Sequence, residues 1–185
     1  MILGIDRHPQ AECFREIDDA VRAMTDRNVV FNAHSFDAPL GSIVWNLENV
    51  PIQVPDPRER WGGHEVWDGF ASNAKQYGAK YVAIGYHPSM QRFCRADTLD
   101  IDVVFAGCIN ERRAKVLQEL ADRGLNVVVL APGVYGAERD AVFARARLAI
   151  NMQYYESGNY PTLRAAHLVA NKVPMLSERA PEMPA

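Results

Sequence analysis

The sequence predicts an α/β protein of two small Rossmann-like half-domains, each with a parallel sheet, and a cleft between them. Three observations lead there. In the second half, short apolar runs alternate with stretches of helical period: 101–106 then 111–123, 127–130 then 137–146, 148–152 then 162–171, and a last run at 174–176. That is the pattern of βαβ units with right-handed crossovers. The runs are short and apolar, as in strands buried on both faces. The run at 148–152 leads into Gln-Tyr-Tyr-Glu-Ser-Gly-Asn-Tyr-Pro, a loop with far more hydrogen-bonding groups than a connection needs, followed by a helix. In an open α/β sheet such a loop is where ligands bind, because free N–H groups and the helix dipole point there.

Residues 1–90 form the first half, 91–178 the second, and 179–185, with two prolines and no core pattern, a tail. Residues 2–5 read as an opening strand, and 9–24 as a helix with Phe14, Ile17, Val21 and Met24 on one face. Residues 28–31 and 42–46 read as further strands, the second entered through a Pro39-Leu40-Gly41 turn. The stretch 48–63 has three prolines and ends in paired glycines, so it cannot hold regular structure for long and reads as a functional loop or flap. Residues 64–77 read as a helix with Val66, Trp67, Phe70 and Ala74 on one face and Gly78 as its stop. A strand at 81–84 follows, then a polar segment to Asp100 that contains the boundary between the halves.

Composition is that of an ordinary globular chain: 185 residues, 48% hydrophobic and 23% charged, with a formal charge of −3. This balance gives no global attraction to nucleic acid or anionic membrane, so a partner has to be argued locally. Cys13, Cys94 and Cys108 are odd in number and widely spaced, which favours reduced thiols over a disulfide scaffold. No export signal or membrane-length apolar run is visible, and the expectation is a soluble cytoplasmic protein.

The candidate site residues cluster after the strands. Gly107 permits close backbone approach, Asn110 can cap the following helix, and Arg112 and Arg113 have the forked geometry that suits a diphosphate. The competing reading is a capped helix with a solvated charged face. In the loop at 153–161, Glu156 stands among Tyr154, Tyr155, Ser157 and Asn159 and can accept from sugar or ribose hydroxyls, or it can cap the helix that follows. Glu48 ends the strand from Ile43 and is either a general base or a plain strand-end acid. His87, held extended by Pro88, can meet a phosphate or sugar oxygen. Trp61 and Trp67 flank the proline-rich stretch as stacking platforms or core residues. Tyr135 lies in a glycine-bracketed turn, Gly133 to Gly136. No spaced histidine, cysteine or carboxylate motif points to a metal, and neither a dinucleotide nor a P-loop glycine fingerprint is present.

Taken together, Asn46-Leu47-Glu48, the segment from Tyr81 to Phe93, the stretch from Asp100 to Leu117 and the stretch from Leu148 to Glu178 resemble small bacterial and phage glycosyltransferases of GT-B architecture, the group related to the spore-maturation glycosyltransferase-like proteins. The resemblance spans 43–178. It implies a minimal GT-B-like arrangement, metal-independent transfer of a sugar from a nucleoside-diphosphate sugar to a hydroxyl acceptor, and no other cofactor. It implies that the turn at 107–113 faces the donor diphosphate, that Tyr135 covers the nucleotide base, and that Glu156 and Arg164 match the loop acid and helix arginine of the family. Pro161 stands where the family has a second acid. Two rival expectations remain beside the transferase: a non-catalytic nucleotide or sugar-binding module, and a base-glycosylating enzyme acting on nucleic acid, for which Arg58, Arg60, Arg112 and Arg113 would form a basic stripe.

Overall fold

The computed structural model describes residues 2–3, 26–31, 37–50, 52, 54–155, 159–180 and 183. The helix expected at 9–24 lies outside them. The chain divides into two units, Met1–Ile84 and Gly85–Met183, and each is a small α/β domain with a wholly parallel sheet.

In the first unit the strands are β1 (Ile2–Leu3), β2 (Val29–Val30), β3 (Ile43–Asn46), β4 (Glu65–Asp68) and β5 (Lys80–Tyr81), lying side by side in chain order. Side chains alternate across the sheet. Val29, Phe31, Ile43, Trp45 and Trp67 bury on one face, with Phe31 tilted on Trp45 at 5.3 Å and Trp45 edge-on to Trp67 at 5.8 Å. Val30 and Val44 bury on the other against Val54 and Trp61.

One expectation is corrected in this unit. Residues 64–77 are not one helix: β4 comes first, and α2 (Ala71–Tyr77) follows after Gly69 and Phe70. Val66 and Trp67 fit a helical face, but pairing with β3 in register, Val44 with Val66 and Trp45 with Trp67, overrides that local pattern. The proline-rich stretch contains a short helix, α1 (Pro57–Trp61). Asp56 accepts from the Arg58 and Glu59 amides, and Pro57 occupies the first turn, where its missing N–H costs nothing. Trp61 and Trp67 are each 3% exposed, so both are core residues and neither is a platform for a sugar.

In the second unit a 3-10 turn (Pro88–Met90) precedes β6 (Ile101–Ala106), α3 (Glu111–Asp122), β7 (Val127–Leu130), α4 (Gly136–Arg145), β8 (Ala146–Asn151), α5 (Thr162–Ala170) and β9 (Met175–Ser177). Here the strand order is β7-β6-β8-β9. The chain steps outward from β6 to β7, then crosses back over β6 to β8 and continues to β9. Right-handed crossovers then require α3 on one face and α4 and α5 on the other. The packing agrees: Leu117 of α3 meets Phe105 and Met152, while Phe143 of α4 and Leu168 of α5 meet Ile101, Val104 and Ala149.

On the α4/α5 face a charged cluster ties the segment before β6 to both helices. Asp140, 5% exposed, has Oδ1 3.0 Å from His167 Nε2 and accepts from Arg139 at 3.0 Å, while Oδ2 accepts from Arg92 at 3.2 Å. Burial alone would raise its pKa, but the hydrogen bonds from His167 and Arg139 and the Arg139 charge outweigh it and hold the carboxyl at about 2. A folded pKa below the unfolded value gives stability that is present above about pH 4 and lost as pH falls towards 2. Asp140→Asn is therefore expected to cost about 2–3 kcal/mol at neutral pH. In urea titrations the gap between variant and wild type should close on acidification from about pH 4; a gap independent of pH would show that the carboxylate charge contributes nothing.

Candidate functional site

The order of the second sheet reverses between β6 and β8. The connections from these two strands leave on opposite faces, which opens a crevice outside their carboxyl ends. Among the described residues of the first unit the strand order does not reverse, so no such point is seen there.

Gly107 follows β6 with φ +148°, and a Cβ there would stand 3.0 Å from Arg164 Nη2 and 3.5 Å from the Phe105 ring. Glycine thus admits the guanidinium against the backbone. Arg164, in the first turn of α5, donates from Nη1 to Asn151 Oδ1 at 2.9 Å; Asn151, 1% exposed, donates in turn to Ser177 Oγ at 2.8 Å. No carboxylate of a described residue forms an ion pair with Arg164. Burial, with a smaller push from the Arg113 charge, pulls its pKa down to about 10, so it remains a cation at neutral pH in a site that disfavours one.

The other two arginines are committed to the protein. Arg113, 4% exposed, donates to the Cys108 carbonyl at 2.5 Å and to the Met152 carbonyl. Its guanidinium lies 5.1 Å from the Phe105 ring centroid and 5.2 Å from that of Tyr154, and burial lowers its pKa. Arg112 forks onto the Glu178 carboxylate, with Nη2 to Oε2 at 3.2 Å, and also donates to the Gln153 carbonyl. The hydrogen bond from Arg112 to the carboxylate is the main reason the Glu178 carboxyl sits below its usual range. Asn110 caps α3 by accepting from the Arg113 amide at 2.9 Å, and its Nδ2 donates to the Tyr154 carbonyl at 3.0 Å.

Gly107, Asn110, Arg112, Arg113 and Arg164 therefore meet on one edge of one sheet. Tyr155, half-buried, meets Tyr154 edge-on at 5.0 Å beside them, and Asn159 is half-buried at the approach to α5. Tyr135 stands at the N-cap of α4, past the carboxyl end of β7. Glu156 lies outside the described residues. His87 is elsewhere: it is exposed and accepts from the Ser89 amide at 3.3 Å. Its turn is pinned through the Met90 carbonyl to Asn171, just past the carboxyl end of α5.

Glu48 belongs to the first unit. Asn46 grips its backbone from both sides, accepting from the Glu48 amide at 3.1 Å and donating to its carbonyl at 3.2 Å. Asn46 Nδ2 also donates to Asp68 at 2.7 Å, and Tyr77 donates to the same carboxylate oxygen. Asp68 is fully buried and had no place in the sequence reading, because the stretch that holds it was expected to be helical. Asn151 was missed too, although a lone amide at the end of an apolar strand is a usable signal. A cavity of about 340 Å³ lies at the amino ends of β4 and β5, lined by Trp61, His64, Tyr77 and Lys80 among others. That is the edge of a parallel sheet opposite to the one that carries ligand sites.

Among the described residues no group of three or more His, Cys, Asp or Glu side chains is placed to hold a metal ion, and no helix is long and apolar enough to cross a membrane. No family model matches the chain, and no solved structure matches it. It is similar to three uncharacterized proteins of Acanthamoeba polyphaga mimivirus. One is 32% identical over 78 residues, which are 42% of this chain and 11% of the relative. A second is 30% identical over 80 residues, 43% of this chain and 9% of the relative. A third is 28% identical over 78 residues, 42% of this chain and 26% of the relative. The chain thus spans a minor part of each of these relatives.

Proposed function

We propose that the second unit binds the donor of a metal-independent GT-B-type glycosyltransferase, which moves a sugar from a nucleoside-diphosphate sugar to a hydroxyl acceptor. The observation that carries this reading is Arg164: a desolvated guanidinium without a described carboxylate partner, set against Gly107 at the switch point of a parallel sheet. An anion there relieves the burial of an uncompensated charge. A diphosphate leaving group gains negative charge as the glycosidic bond breaks, so a fixed guanidinium stabilises the transition state more than the ground state. Tyr135 is the proposed cover for the base, and Glu48 the proposed general base on the acceptor side. The odd number and wide spacing of the three cysteines favour reduced thiols, and the cytoplasm is the proposed compartment.

A non-catalytic nucleotide-binding module is the second reading. It is favoured by the internal commitment of Arg112 and Arg113, which leaves Arg164 alone to meet the anion, and by Pro161 in place of the family's second acid.

Titration with UDP, GDP, ADP, CDP and dTDP should find at least one that raises the melting temperature. Arg164→Met should weaken that nucleotide by roughly ten- to a hundredfold, the loss of one charge-assisted contact. No shift with any of the five, or an unchanged affinity in the variant, rejects the site. Incubation with the matching nucleotide sugars separates the two readings: a transferase releases nucleoside diphosphate by slow hydrolysis, and a binding module does not.

The same hydrolysis should persist in EDTA, since the sequence has no metal-ligating motif at the donor loops. Loss of turnover that magnesium or manganese restores would remove the metal-independent assignment.

A further inference from the structure

We infer that Asn110, Arg112 and Arg113 form a clasp that positions the loop after β8, and that neither arginine is a ligand of the anion. The three residues take three consecutive carbonyls of that loop: Arg113 donates to Met152, Arg112 to Gln153 and Asn110 to Tyr154. A loop leaving the end of a buried strand has carbonyls with no ladder partner, and each must find a donor or water. Here one turn of chain, the start of α3, supplies all three donors.

The clasp also bridges strand ends. Arg113 joins the Cys108 carbonyl after β6 to the Met152 carbonyl after β8. Arg112 joins the Gln153 carbonyl to Glu178 after β9, and Glu178 accepts the Gln153 amide at 2.7 Å. Each bridge uses two arms of a planar guanidinium at a fixed separation, which an ammonium of equal charge cannot reproduce. Between Phe105 and Tyr154, Arg113 also fixes the Tyr154 ring. With Arg112 paired to Glu178 and Arg113 spent on carbonyls, Arg164 is the guanidinium of the three that meets an anion. The clasp sets where Tyr154 and Tyr155 stand relative to it. This inference rests on the nucleotide reading of the same site.

Two variants test it. Arg113→Lys keeps the charge and loses the fork. Asn110→Ser keeps a neutral N-cap acceptor for the Arg113 amide and is too short to donate to the Tyr154 carbonyl, so the helix and the local charge are both retained. In ligand-free protein, hydrogen exchange over residues 150–161 should speed up in both variants, by about tenfold or more if about 1.4 kcal/mol of local stability is lost. The affinity arm uses two probes, inorganic pyrophosphate and whichever of the five nucleoside diphosphates binds the wild type. For positioning residues, the nucleotide should weaken by about tenfold or more in both variants, while pyrophosphate, which needs Arg164 but not the loop, stays within about threefold. If Arg113 is a direct phosphate ligand, Arg113→Lys weakens both probes alike and Asn110→Ser weakens neither, which overturns the clasp. Unchanged exchange in both variants also overturns it, and so does faster exchange with unchanged nucleotide affinity. A wild type that binds no nucleotide rejects the nucleotide reading and, with it, the positioning role in donor binding; the exchange measurement reports on the clasp separately.

Discussion

The parallel pairing of β6 with β8, across which the strand order of the second sheet reverses, is the constraint on which the rest of that unit depends. Once these two strands are neighbours and their connections leave on opposite faces, the loops at 107–110 and 152–155 must face each other across the carboxyl edge. Everything gathered there follows from it: Gly107 beneath Arg164, Asn110 beneath the Tyr154 carbonyl, and Arg113 between two aromatic rings. No residue in this group is close in sequence to all the others. The two loops meet because β6 and β8 run side by side, with Val103 opposite Leu148 and Val104 opposite Ala149.

The charges on this edge are unequal in their environments. Arg112 has a carboxylate in Glu178 and remains partly in water, so its charge is shared and screened. Arg113 is buried but faces carbonyl oxygens and π-faces, which soften the cost of burial. Arg164 has one amide oxygen from Asn151 and a like charge nearby. A ligand with negative charge gains most where the protein has compensated least, and by that criterion the proposed site centres on Arg164 and not on the arginine pair at the start of α3.

The first unit handles its polar groups differently. Its described strands lie in chain order, without a reversal, and the carboxyl ends of β3 and β4 carry a buried network. Asp68 accepts from Asn46, Tyr77 and the Phe70 amide, and Asn46 in turn holds the backbone of Glu48. A fully satisfied buried carboxylate of this kind fixes geometry, because moving any partner leaves a charge unpaired. Glu48 is therefore presented on a rigid turn.

The sequence by itself determined the local events. Apolar runs of strand length alternating with helical periods located β6 to β9 and the helices between them, because both periodicities are properties of adjacent residues. Gly78 as a helix stop and Asn110 as an N-cap were legible for the same reason: each acts on amides or carbonyls within a few residues of itself. What only the tertiary structure decided was anything that needs a distant partner. Residues 65–68 became a strand because β3 offered a ladder, although their spacing fits a helix. Trp61 and Trp67 went to the core because two sheet faces had to be filled. Arg112 and Arg113 look alike in the sequence and alike suited to phosphate, yet both were taken by acceptors that include carbonyls and a carboxylate 39 to 66 residues away along the chain. Arg164, one arginine on an ordinary amphipathic helix, was left without a carboxylate partner among the described residues. Which cation stays unpaired depends on every acceptor within reach, and reach across a parallel sheet is set by strand order, which no local pattern encodes.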